Sequence, residues 1–302
     1  MIAPNVFEAC PVYETASFRL RQVRLADAES LLSCYSDKTA VSKMNADNCT
    51  RNFYCTTIEE MENCIRFWLD EYRRHRYIRF SIIPKAVGRA VGTIGIFGGE
   101  SGILTVDIAT EYDKEEYLEE FIRLAVLRFI RDFQVGSLKI KVKNTLERLP
   151  LLKKYGFVPS VQFCPQAGYY ERPAAKAFDE SKGIAFCGLA CCVCSENKHC
   201  GGCMAGCQRD RNACKHWVCC NAKRIAGCWE CGNFACGAPM FASTRIRAFS
   251  RFIAENGSER LTRALRNNEA NGVLYHYTGQ HVGDYDLFQT EEEIIQLIES
   301  GL

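Results

Sequence analysis

Residues 77–110 read YIRFSIIPKAVGRAVGTIGIFGGESGILTVDIAT, and residues 114–133 read KEEYLEEFIRLAVLRFIRDF. The first stretch holds three apolar runs, Tyr77–Ile83, Ala90–Phe97 and Ile103–Thr110, parted by turn material that includes Pro84 and the pair Gly98-Gly99. Short apolar runs bounded by Pro and Gly predict three strands. The second stretch places Phe121, Leu124, Ala125, Leu127 and Phe129 at helical spacing. That period predicts one long amphipathic helix from about Lys114 to Phe133. Strands alternating with helices make this an α/β domain.

The same alternation continues on both sides. Toward the N-terminus, Phe18–Val23 alternates as a strand, and helices are expected over Ala28–Tyr35 and about Ile58–Arg74. Toward the C-terminus, Leu138–Val142 suits a strand and Leu149–Tyr155 a short helix capped by Gly156. A last hairpin is expected within Phe157–Tyr170.

This order of elements resembles the GNAT acetyltransferases, most closely the branch that acetylates protein N-termini and small amines. The residues that carry the resemblance are Phe18-Arg19-Leu20-Arg21 with Asp27-Ala28-Glu29, Tyr35-Ser36-Asp37, Val91-Gly92-Thr93-Ile94-Gly95 and Lys154-Tyr155-Gly156-Phe157. It covers about residues 15 to 165 and implies a mixed central sheet flanked by helices, with acetyl-CoA as the cofactor. GNAT enzymes bind the coenzyme's pyrophosphate on backbone N–H groups where the long helix begins, a place suited to anions. Carried onto this chain, the resemblance puts coenzyme contacts at Ile108, Thr110, Glu116 and Tyr117.

The chain departs from the family pattern at the residues that matter most. Where the family carries Arg/Gln-x-x-Gly-x-Gly/Ala, this sequence has Asp113, Glu116 and Leu118 at the three key places. Residues 111–120 hold six carboxylates and one lysine. Acidic groups in a first helical turn repel a pyrophosphate but interact favourably with the helix dipole. Transfer of an acetyl group from a thioester to an amine wants a proton acceptor for the amine and an acid near the departing sulfur. The family's strand carboxylate aligns with Ile103, leaving Asp107 as the nearest base; a hairpin-pairing or surface aspartate is the plainer reading. The family's acid falls at about Arg148 or Leu152, so Tyr155 is the candidate replacement, against a core role for the same ring.

The second half is of another kind. Of the chain's 19 cysteines, thirteen fall between Cys187 and Cys236. Ten form short-spaced groups: Cys187, Cys191 and Cys194; Cys200 and Cys203; Cys214 and Cys219; Cys228, Cys231 and Cys236. A C-x2-C pair lets two thiolates meet one tetrahedral ion, and Cys191/Cys194, Cys200/Cys203 and Cys228/Cys231 have that spacing. The ten are the candidate metal ligands, for Zn2+ or alternatively an iron–sulfur cluster. Cys192, Cys207 and Cys220 fall outside the pattern and suit packing, while His199 and His216 could replace a thiolate, the plainer reading being a place beside the ligands or in solvent. The triplet Cys187-x3-Cys191-x2-Cys194 also has the spacing of radical S-adenosylmethionine enzymes, but too few residues follow it to build their barrel. The stretch 185–240, with His276-Tyr277 and Gly283-Asp284-Tyr285-Asp286, resembles an uncharacterised cysteine-rich domain of bacteria and archaea that is suspected of binding metal. A small cysteine-dense segment has little apolar core, so metal binding would supply much of its folding free energy.

Beyond the cysteines, helices are expected over Ser243–Glu255, ended by Asn256-Gly257, and over Ser258–Arg266 or slightly further. A strand is expected at Val273–Tyr277, and a final helix opening on a capping box of Thr290 and Glu293. The organisation read from the sequence is a GNAT-like domain over 1–172, a linker over 173–183, and a cysteine-rich, mainly helical domain over 184–302.

Net charge is +2, which implies no global pull toward nucleic acid or membrane. From Cys187 to Arg251 there are nine Lys/Arg against three Asp/Glu, and from Phe252 onward three against nine. The basic stretch is the one candidate nucleic-acid surface, against the plainer reading of a solvated face. No signal peptide and no long apolar run is visible, so a cytoplasmic, reducing setting is expected, in which clustered cysteines favour metal over disulfides. The expected function is acetyl-CoA-dependent N-acetyl transfer to a small-molecule or peptide amine, the cysteine-rich domain serving recognition or structure. The alternative is a GNAT scaffold without catalysis that carries a zinc or iron–sulfur sensing module.

Overall fold

The computed structural model describes residues 5–44, 53–97, 99, 101–142, 148–160, 168–173, 177–196, 199–205, 213–234 and 236–302. The turn of the expected 157–170 hairpin, Gly98, Cys207 and residues 174–176 of the expected linker lie outside them. The chain divides into two compact units, Met1–Pro173 and Ala174–Leu302.

The first unit is built on one eight-stranded mixed sheet. Its strands are β1 (Tyr13–Glu14), β2 (Phe18–Gln22), β3 (Tyr77–Pro84), β4 (Gly92–Phe97), β5 (Ser101–Ile108), β6 (Ser137–Lys141), β7 (Val158–Pro159) and β8 (Tyr169–Arg172). Their spatial order is β1-β2-β3-β4-β5-β6-β8-β7. Every pairing is antiparallel except β5 with β6, which is parallel. That one parallel pair requires a crossover, and the helical stretch between β5 and β6 supplies it. The elements expected from the sequence occur in the expected order, with strand ends shifted by one or two residues, and β1 and a short helix at Lys38–Lys43 are additional.

Alternation along the strands sorts side chains to the two faces. On one face lie α1 (Ala28–Tyr35), α2 (Lys38–Lys43) and α3 (Ile58–Arg73). Leu31, Tyr35, Met61, Ile65 and Trp68 bury themselves there in one cluster. Met61, Ile65 and Trp68 recur at spacings of four and three, a helical stripe. Helix α3 starts on a capping box: Glu60 N–H donates to Thr57 Oγ1 at 3.2 Å, and Thr57 N–H to Glu60 Oε2 at 3.1 Å.

On the other face runs α4 (Glu115–Leu124), a π-helical turn over Ala125–Phe129, and α5 (Ile130–Asp132). Phe18 meets Phe121 at 4.9 Å between ring centroids, and Phe80 meets Phe129 at 6.0 Å. The single helix expected over 114–133 is therefore interrupted by one wide turn, which rotates the register of its apolar stripe. Helix α6 (Arg148–Lys154) follows β6, and Gly156 just beyond it has φ of 77°.

Asp27 ties β2 to the start of α1. Arg21 donates to both its carboxylate oxygens at 2.7 Å, Ser81 Oγ at 2.7 Å and Arg24 N–H at 3.0 Å. Burial alone would raise the Asp27 carboxyl, but these donors outweigh it and hold it below the usual range. Its folded-state value is thus depressed, so its stabilisation is present above the unfolded value near 3.9 and lost as pH falls through the folded one. Asp27→Asn is expected to cost on the order of 1–3 kcal/mol at pH 7, and the gap from wild type should close at an acid pH where the carboxyl is protonated in both states. Urea denaturation of both proteins at the two pH values measures this; a gap that persists at low pH contradicts it.

The second unit has no strand among its described residues. Its elements are α7 (Gly202–Ala205), α8 (Lys215–Lys223), α9 (Thr244–Asn256), α10 (Ser258–Ala270) and α11 (Glu291–Glu299), joined by loops and 3-10 turns. Its core is made by Phe249, Phe252 and Ile253 of α9, Leu261 and Leu265 of α10, and Ile294 and Ile298 of α11. Thr290 caps α11 with Glu293, as its sequence requires.

The stretch Val273–Tyr277 is not a strand. Its backbone is satisfied locally: Leu274 N–H donates to Asp284 Oδ2 at 2.7 Å, and Asp284 N–H donates back to the Leu274 carbonyl at 2.8 Å. A buried aspartate in the returning loop replaces the strand partner that a ladder would need.

Candidate functional site

Among the described residues, the parallel pairing in the first unit's sheet stops short of the end of β5. β5 pairs with β6 only from Ser101↔Ser137 to Leu104↔Ile140, while β5 itself continues to Ile108. Past Leu104 the two parallel strands part, and among the described residues no strand takes β6's place. The chain then turns through Thr110–Tyr112 into α4.

Three of the four expected coenzyme contacts line this route. Ile108 is the buried last residue of β5, Thr110 opens the turn with its hydroxyl donating to Asp37 at 2.7 Å, and Glu116 is exposed in the first turn of α4. Tyr117 instead packs inward, edge-on to Phe18 at 5.1 Å. Lys114, Glu115, Glu116 and Glu119 line an open cavity of 440 Å³ at the helix start. Three carboxylates to one ammonium make that cavity acidic.

The mouth of the opening is bridged from α6. Arg148 Nη1 donates to the Val106 carbonyl at 3.2 Å, and Nη2 to Asp113 Oδ1 at 2.9 Å. Lys43 approaches the other oxygen of Asp113 at 3.2 Å. The Arg148 and Asp113 side chains are only 8% and 5% exposed.

The expected catalytic residues lie apart in chemical setting. Asp107 is fully buried on β5, facing α1 and α3. Its Oδ2 accepts from Arg79 at 2.7 Å and from the Tyr35 hydroxyl at 2.8 Å, while Oδ1 has no hydrogen-bond partner among the described residues. Arg79 also donates to Thr93 at 2.9 Å and stacks over Trp68 at 5.0 Å. Burial, and then the Asp107 charge, push the Tyr35 phenol well up. Asp107 is thus one half of an internal ion pair, a role the sequence left open because Arg79 lies 28 residues away on another strand. The Tyr155 ring is buried and its hydroxyl donates to Glu119 at 2.9 Å. Burial raises the Glu119 carboxyl, but hydrogen bonds from Lys154 and Tyr155 more than offset that and hold it low. Tyr155 therefore points toward the cavity at the start of α4, whereas Asp107 points to the opposite helices.

In the second unit the sulfurs stand mostly in twos. Cys191 is hydrogen-bonded by Cys203, which pulls its thiol down to about 6 against the effect of burial. Cys194 Sγ lies 3.7 Å from His276 Nδ1, Cys228 Sγ lies 3.3 Å from His216 Nδ1 and 3.8 Å from Cys220 Sγ, and Lys223 donates to Cys231 at 3.2 Å. Burial lowers His216 and takes His276 down to about 4, which favours the neutral imidazole in each. Burial raises Cys187 to about 11. Gly188, at φ of 90°, lets the loop close on α9, since a Cβ there would meet Ser250 Oγ at 2.4 Å.

Two sulfurs bound to one zinc at about 2.3 Å lie ~3.8 Å apart, so the Cys220–Cys228 spacing matches one edge of such a site. Among the described residues, however, no three His, Cys, Asp or Glu side chains gather closely enough to hold an ion. Of the ten patterned cysteines, Cys191, Cys194, Cys203, Cys228 and Cys231 are thus placed near partners without being closed into tetrahedral sets. Cys220 is buried in packing with Phe241 and Ile246, as expected, and both it and His216 sit against Cys228. Their spacing on α8, four residues apart on one face, is the signal that could have found them.

No protein-family model matches the sequence, and no curated protein matches it. Among solved structures the chain is similar to a ribosomal-protein-S5-alanine acetyltransferase from Vibrio fischeri, with 12% identity, 54% of this chain, 96% of the other and a TM-score of 0.44. It is also similar to RimL, a ribosomal L7/L12 alpha-N-protein acetyltransferase in complex with coenzyme A, at 10% identity over 54% and 98% of the two chains, with a TM-score of 0.42. A third is RimJ of Mycobacterium smegmatis in complex with a CoA disulfide, at 18% identity over 50% and 75%, with a TM-score of 0.41. Among the described residues of this chain, no helix is long and apolar enough to cross a membrane.

Proposed function

We propose that the chain is an acetyl-CoA-dependent N-acetyltransferase acting on an amine of a small molecule or peptide. The observation that carries this reading is the parting of β5 from β6 beyond Leu104, directly before the turn into α4. A parted strand offers unpaired backbone groups to an extended, amide-bearing ligand, as in strand addition. The helix start offers orphan N–H donors to phosphates. Ile108, Thr110 and Glu116 would lie along that path, with Tyr117 supporting the helix turn from within. Tyr155, aimed at the same end of α4, suits the acid near the departing sulfur. Asp107 remains the candidate base only if substrate binding separates it from Arg79.

Unit 2 would serve recognition or structure, with Zn2+ or an iron–sulfur cluster drawing its thiol and imidazole pairs together. His216, Cys220 and Cys228, and Cys194 with His276, are the places where an ion would find ligands already adjacent. Elemental analysis and an absorption spectrum of freshly purified protein test this part. Zinc without colour supports a staple, iron with labile sulfide supports a cluster, and neither metal removes the reading.

A second reading is favoured by one observation: Arg148 crosses the opening and the helix start is acidic. On that reading the first unit is a scaffold without catalysis and unit 2 carries the activity as a sensing module that contacts protein or nucleic acid. Thermal unfolding with and without acetyl-CoA separates the two. A ligand at 100 times its Kd stabilises the folded state by about 2.7 kcal/mol, and an unchanged transition favours the scaffold.

A further inference from the structure

Arg148 occupies the position that an arriving ligand needs. Its guanidinium is almost wholly buried and takes up the Val106 carbonyl on the tail of β5, beyond the last residue that β5 pairs with β6. The other end of its fork holds Asp113, the residue that ends the turn before α4. One side chain therefore covers both the strand edge and the approach to the helix start.

We propose that Arg148 is a latch: it closes the parted edge of β5 in the free protein and must leave Asp113 and the Val106 carbonyl before the coenzyme's extended arm can seat. This rests on the acetyl-CoA reading. Three features make the contact releasable rather than a permanent part of the core. Asp113 keeps a second cation, Lys43, when Arg148 departs, so no buried carboxylate is stranded. The Val106 carbonyl would exchange one donor for another if an amide of the ligand replaced the guanidinium. A freed arginine beside the start of α4 meets the coenzyme's phosphates, which its planar fork binds as readily as a carboxylate. The acidic helix start then has a use for a mobile cation that the sequence alone does not supply.

A latch imposes a conformational cost, because apparent affinity falls by the fraction of molecules in the open state. Calorimetric titration of acetyl-CoA into the full chain is expected to show tighter binding, on the order of ten-fold, for Asp113→Asn, which frees Arg148 without removing it. Arg148→Ala removes both the latch and the phosphate partner, so it should bind no tighter than Asp113→Asn. In stopped-flow mixing, the wild-type association rate should level off with rising coenzyme concentration as opening becomes limiting. That readout needs no variant and stands even if either substitution unfolds the protein. Equal affinities for wild type and Asp113→Asn, or a wild-type rate that rises linearly without levelling, overturn the latch while leaving the coenzyme reading intact. No binding by wild type or either variant at millimolar coenzyme overturns the coenzyme reading and the latch with it.

Discussion

Arg79→Met is expected to lower the stability of the first unit by about 3–5 kcal/mol, because it strands a buried charge. The Arg79 and Asp107 side chains are each 1% exposed and meet at 2.7 Å. Methionine keeps the length and much of the packing against Trp68 but supplies no cation. Asp107 would keep only the Tyr35 hydroxyl, which cannot neutralise it. A buried ion pair is costly to break and contributes little net stability as a pair, since both charges must lose water. The double variant Arg79→Met with Asp107→Leu is therefore expected to regain most of the loss. Chemical denaturation of the three proteins measures it, and a double variant less stable than Arg79→Met would show that the pair contributes more than mutual neutralisation.

The next largest effect falls on the neighbour. Trp68 is 2% exposed on α3, lies 5.9 Å from the Tyr35 ring, and carries the Arg79 guanidinium at 5.0 Å above its own. Trp68→Ala is expected to cost about 3–5 kcal/mol through lost burial and the cavity left behind. The cation–π contact adds a smaller share, of order 1–2 kcal/mol when desolvated. Trp68→Phe should retain most of the stability. If Trp68→Ala melts within a degree of wild type, helix α3 is not held to the sheet in the way described.

The elements with strong local signals were legible in the sequence. Ala28–Tyr35, the helix expected over about Ile58–Arg74, and the Thr290–Glu293 cap are recovered because their signals lie within a few residues of each other. The short helix Lys38–Lys43 was missed because six residues carry too little period to stand out. Val273–Tyr277 reads as a strand by composition, yet its partner is an aspartate side chain ten residues on, which no local pattern announces. The site was less legible than the fold for the same reason at longer range. Arg79–Asp107, Arg148–Val106 and Arg148–Asp113 join residues 28 to 42 positions apart, and each changes the meaning of the residue it holds. In the second unit the spacing of cysteines could not show their adjacency to His216 and His276, which depends on how α8 and the 273–284 loop fold.

On the proposed function, the parted end of β5 and the start of α4 receive a coenzyme. Equilibrium titration of acetyl-CoA against the full chain tests it most directly. Saturable binding of one coenzyme per chain is expected, competed by free coenzyme A and weakened by bulky replacement at Ile108. Absence of saturable binding at millimolar acetyl-CoA, in both the wild type and Asp113→Asn, would contradict it.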